Sequence, residues 1–214
     1  MTFESSRTLG IVGALLMLIG FIPFAAYVGV IALVGFILLL VALHGLGDYY
    51  KENGIFNNAL YGFIAGIVGV VAAVIAVVYV VLDTSILKTL LADIYPGWKY
   101  GDWSKLSGLT PNTSNIPMGD VTAVLGALFA VLAILWIGLI ISAFFNRRSL
   151  KMLSAKASVG LFSTAGLLLI IGAVLTIVLI GFLLMWIAVL LMLIAFFQMK
   201  PQPEQPVTPP APPP

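Results

Sequence analysis

The run 157-ASVGLFSTAGLLLIIGAVLTIVLIGFLLMWIAVLLMLIAFFQM-199 holds 43 residues without an Asp, Glu, Lys, Arg or His, bounded by Lys156 and Lys200. As one helix it would measure about 64 Å at ~1.5 Å per residue, roughly twice the ~30 Å hydrocarbon core of a bilayer. The run therefore predicts two membrane-spanning helices with almost no loop between them. The N-terminal part repeats the pattern: no Asp, Glu, Lys or Arg occurs from Thr8 to Gly47. There Pro23 interrupts the run and places a tight turn near Pro23–Tyr27, because a proline ring clashes with a continuing helix.

Composition extends this reading to the whole chain. Only 8% of the 214 residues are charged and 62% are hydrophobic, with a mean hydropathy of +1.18. A soluble domain carries about 25% charged residues, so a water-soluble fold is excluded. The net charge of +2 is too small for a nucleic-acid partner. With no cysteine in the chain, disulfides, thiolate catalysis and Cys-ligated metals are excluded. The first apolar run continues too far, without a small-residue cleavage site, to be a cleavable leader.

The predicted fold class is all-α, a polytopic transmembrane helix bundle with spans near 8–23, 27–46, 58–82, 121–145, 158–175 and 178–198. Residues 1–200 form this domain, and the proline-rich 201–214 cannot build a core and is expected to be extended or disordered. The outer loop 83–120 begins with Ile86, Leu87, Leu90, Leu91, Ile94 and Tyr95 on one helical face, opposite Lys88 and Asp93. It reads as a helix on the membrane surface, followed by the interfacial anchors Tyr95, Trp98, Tyr100 and Trp103. Asn112-Thr113-Ser114 in the same loop matches a glycosylation acceptor, a pattern short enough to arise by chance.

The terminal hairpins resemble each other. Leu15-Leu16-Met17-Leu18-Ile19-Gly20 aligns with Leu167-Leu168-Leu169-Ile170-Ile171-Gly172, and without a gap Gly29 then meets Gly181. One reading is a duplicated hairpin related by an axis along the membrane normal; the other is the easy matching of Leu- and Gly-rich segments. The stretches Glu4–Gly10, Gly20-Phe21-Ile22-Pro23, Tyr49-Tyr50, Gly54–Gly62, Phe162–Leu168 and Gly172-Ala173 resemble an uncharacterised, largely archaeal family of membrane proteins, domain of unknown function 996. The likeness covers most of residues 3–198 and implies topology without an activity.

Packing candidates come from small residues four apart, which let helix backbones approach in lipid. The third span carries Gly62 and Gly66, and Ala65, Gly69 and Ala73; the fourth carries Ala123 and Ala127, and Gly126 and Ala130. The lone histidine, His44, sits near the end of the second span and reads as an interfacial residue rather than a proton carrier. No span has an ionisable residue near its middle, and no GxSxG, HExxH or Walker sequence occurs. No catalytic, metal or cofactor site is expected; Asp83, Asp93, Asp102 and Asp120 read as solvated.

The expected role is a non-catalytic structural or interaction component of a membrane assembly. Its partners would be lipid and other membrane proteins, or further copies of itself. The alternative is a transporter or pore for a small neutral or apolar solute, and a weaker third is an intramembrane enzyme acting on lipid.

Six spans put both termini on one side. That side carries Arg7, Lys51, Arg147, Arg148, Lys151, Lys156 and Lys200, against Lys88, Lys99 and Lys105 opposite. Seven cations against three predict cytoplasmic termini in the cell membrane. A cysteine at Ser5 or Thr208 should then be shielded from an impermeant thiol reagent in intact cells, and one at Ser114 should react. Labelling at the termini of unlysed cells would reverse the orientation.

Overall fold

Apolar segments satisfy their own backbone groups as helices. The structure, a computed structural model, describes residues 2–20, 28–83, 85–99, 101–112 and 116–201. It contains α1 (Phe3–Gly20), α2 (Val28–Tyr49), α3 (Asn53–Asp83), α4 (Ser85–Ile94), α5 (Met118–Ala157), α6 (Gly160–Leu175) and α7 (Ile180–Gln198). Short 3-10 turns cover Trp103–Gly108 and Thr176–Val178. Among the described residues there is no strand, and six helices are long and apolar enough to cross a membrane. The turn near Pro23–Tyr27 and the tail beyond Pro201 lie outside the described residues.

Two differences from the sequence reading have a local cause. α1 starts at Phe3, because Thr2 bonds forward onto the first turn: the Ser5 amide donates to Thr2 Oγ1 at 3.3 Å. α5 runs on through Arg147–Lys156, beyond the expected span 121–145, because no glycine or proline interrupts 146–157 and Arg, Lys, Leu, Met and Ala are good helix formers.

The chain divides into two compact units, residues 1–62 with 143–214, and residues 63–142. In the first unit, helices meet where glycines remove the side-chain spacer. A Cβ on Gly13 would stand 2.7 Å from the Gly35 carbonyl oxygen, and one on Gly35 would stand 2.7 Å from the Gly13 oxygen. α1 and α2 thus touch backbone to backbone, and Gly20 lies equally close to Ala32. In α6 and α7 the partners are Gly172, Gly181 and Met185. Phe196 of α7 joins three helices: its ring fills the space over Gly10 of α1 and meets Phe162 of α6 edge-on at 5.0 Å. Both rings are fully buried.

Three connections of this unit, all among the described residues, are short and turn on one left-handed residue each. Lys51 (φ 52°) ends α2, Ser158 (φ 55°) joins α5 to α6, and Leu179 (φ 64°) joins α6 to α7. After α2 the Glu52 amide donates to Gly47 O at 2.8 Å and the Lys51 amide to Asp48 O at 3.2 Å, the pair of bonds that usually closes a helix on glycine. A side chain there costs roughly 1–2 kcal/mol, which the packed hairpins must offset.

In the second unit the seam between α3 and α5 lies at Gly69 and Gly138. A Cβ on Gly69 would stand 2.9 Å from Gly138 Cα, whereas one on Gly66 would meet Ser142 Oγ at an ordinary 3.4 Å. Overpacking a tight contact costs about 1–3 kcal/mol. Gly69→Leu should therefore lower the melting temperature in detergent clearly more than Gly66→Leu does. Val78→Leu, at an exposed position, should be nearly silent. Equal melting of the Gly69 variant and wild type would place the seam elsewhere.

Candidate functional site

The polar groups of the first unit gather where α1 begins and α7 ends. The last carbonyls of a helix have no partner within it. At α7 they are taken by Arg7: Nε donates to Phe196 O at 3.1 Å and Nη2 to Phe197 O at 2.9 Å. A cation there also meets the negative end of the helix dipole. Glu4, one turn before Arg7, accepts from its Nη1 at 3.5 Å and holds the guanidinium in place. The two ends of the apolar domain are thus fastened together.

Neighbouring elements add further ties. Ser149 of α5, fully buried, donates its hydroxyl to Ile55 O of α3 at 2.6 Å. Lys156 Nζ lies 3.3 Å from Glu52 Oε2, and Ser154 Oγ donates to Val159 O at 3.0 Å across the α5–α6 turn. Asn58 Nδ2 donates to Gly54 O at 2.7 Å and reaches Met152 Sδ. A shallow cleft of about 290 Å³ opens between that turn and the end of α7, lined by Lys156, Ser158, Gln198 and Lys200 among others.

His44 is more than half exposed, with Nε2 3.7 Å from Asp48 Oδ2 and its ring 4.7 Å from that of Phe56. One helical turn separates the histidine from the aspartate, so this is a local surface pair. No group of three or more His, Asp and Glu able to hold a metal occurs among the described residues.

The sequence-selected residues fall in different places. Gly62 lies in the first unit. Ala65, Gly66, Gly69 and Ala73 lie in the second, with Gly69 and Ala73 buried. On α5, Ala123 and Ala127 are half-buried, Ala130 is exposed, and nothing stands within 4 Å of a Cβ on Gly126. The partner of Gly69 is Gly138, which with Ser142 forms another small-residue pair four apart in the sequence. Trp98 is buried; its Nε1 donates to Asp102 O at 3.1 Å and its ring lies 5.4 Å from that of Trp103. Tyr95 is half-buried and Trp103 exposed, while Tyr100 lies outside the described residues. The backbone amide of Asn112 donates to Ile94 O at 2.7 Å, and Thr113 and Ser114 are not described.

An aromatic cluster closes the α1–α2 end. Tyr49 lies 5.0 Å from both Phe3 and Tyr50. Tyr50 is buried, its hydroxyl meets no acceptor among the described residues, and its pKa is pushed up to about 12, first by burial and then by Tyr49. A phenol held neutral in this way costs nothing below its unfolded pKa near 10. Between about 10 and 12 the unfolded chain loses the proton and the folded one keeps it, so stability falls as pH rises. Tyr50→Phe should flatten this alkaline loss in a melting series. At neutral pH it should be neutral or stabilising by up to about 1 kcal/mol, because no hydrogen bond is lost. A Phe variant clearly less stable at pH 7 would reveal a partner for the hydroxyl.

The geometry matches no solved structure. The sequence is 26% identical over 199 residues to the uncharacterized protein MJ1644 of Methanocaldococcus jannaschii, an alignment covering 93% of this chain and 94% of that one. The family described as protein of unknown function DUF996 matches residues 31–190, well over half of the chain, and the chain belongs to that family.

Proposed function

We propose that this multi-pass membrane protein is a non-catalytic component of a membrane assembly, with both termini in the cytoplasm of the cell. The observation that carries the reading is the exposure of α5. In its most apolar 18-residue window, no residue is buried. Leu125, Leu128, Phe129, Leu132 and Leu135 all stand open on a helix that meets α3 closely at Gly69 and Gly138. A helix apolar all round belongs inside a larger apolar body or in lipid. Small-residue seams of this kind also join helices of different chains. The charge-free spans favour this role over ion-coupled transport, which usually needs a polar relay.

The absence of native cysteine allows a direct test. A single cysteine at Phe129 should form a disulfide-linked dimer in native membranes if copies associate through α5. If the partner is another protein, that protein should co-purify in mild detergent. A monomer without a co-purifying membrane protein, together with flux of a neutral solute in proteoliposomes, would favour the pore reading instead.

A further inference from the structure

The exposed stripe of Phe144, Arg148 and Lys151 on α5 sets cations beside an uncharged helix. Arg147 Cα lies 3.2 Å from the Cβ position of Gly166, and Leu150 Cβ lies 3.4 Å from it. Gly166 stands six residues, about 9 Å, along α6 from Gly160, inside the run that has no ionisable residue from Ala157 to Met199. Arg147 therefore sits level with apolar helix, and Arg148 and Lys151 follow within the next turn. Side chains on a helix lean towards its N-terminus. For α5 that direction leads into the apolar stretch before Phe145, and the Arg148 guanidinium indeed lies 5.5 Å over the Phe144 ring.

Cations at the edge of hydrocarbon need an anion, and among the described residues the carboxylates at this end of the unit stand elsewhere. Glu4 meets Arg7, Glu52 meets Lys156, and Asp48 lies beside His44. We infer that Arg148 and Lys151, with Phe144 above them, hold the phosphate of an anionic membrane lipid in the leaflet on the side of the termini. A guanidinium offers a fork of donors that matches phosphate oxygens, the lysine adds a point charge, and the phenyl ring lies against the acyl chain. Basic residues at a membrane surface attract anionic headgroups in general. Here the apolar wall of α6 fixes the depth at which the phosphate would sit.

The test uses the full chain in neutral detergent, melted with phosphatidylglycerol, phosphatidylcholine or inorganic phosphate. Phosphatidylglycerol should raise the midpoint by several degrees, and the other two should not. Arg148→Gln with Lys151→Gln should remove at least half of that rise, and Lys99→Gln with Lys105→Gln should leave it intact. Both stripe residues are exposed, so the double variant should melt like wild type without lipid. If it does not fold, native mass spectrometry of wild type should show phosphatidylglycerol retained over phosphatidylcholine. The site is refuted if phosphatidylcholine or inorganic phosphate stabilises equally, if the double variant keeps the rise, or if wild type retains neither lipid preferentially. An acidic protein held through those residues, without lipid preference, would also refute it.

Discussion

Close backbone contact at glycine is the constraint on which this molecule depends. Lipid tails are as apolar as leucine, so burying one helix face against another gains no transfer energy. What remains is dispersion, which falls steeply with separation and needs many atoms in register. Gly13 against Gly35, Gly172 against Gly181 and Gly69 against Gly138 meet this need in three helix pairs. Between them lie faces of Val, Leu and Ile left open to the surroundings. Packing specificity is thus concentrated in a few residues, and most of the apolar surface is free to meet lipid or another chain.

The same solvent explains the placement of the polar ties. A hydrogen bond in the middle of a span would have no competition from water, yet its donors would first have to be brought there. Several such ties stand near the ends of its helices. Arg7 closes the carbonyls of α7, and Ser149, Lys156 and Glu52 join α5 to the start of α3 and to the turn before it. Left-handed residues at Lys51, Ser158 and Leu179 reverse the chain in a few residues. The cost of that backbone is set against hairpins whose two helices touch along a glycine line. Tyr50, buried without an acceptor among the described residues, departs from this pattern.

Element type and number were legible in the sequence because exclusion of charge from a bilayer is a property of each segment alone. A run without charge must become a helix that satisfies its own backbone, whatever its neighbours do. The helix at Ser85–Ile94 was legible for a similar reason, since its apolar residues repeat at helical spacing. Whether residues 146–157 continued the helix was less legible, because basic residues are equally at home in a loop and in an exposed helical turn. The sequence by itself therefore determined six apolar spans and the clustering of seven of its ten cations in segments assigned to one side. Only the tertiary structure decided that Gly69 meets Gly138, that Phe196 fills the space over Gly10, and that Arg7 reaches a carbonyl 189 residues away. Those choices depend on which face of a nearly uniform helix turns towards which partner. Hydropathy is the same on every side of such a helix, so the face is set by the shape of the neighbour.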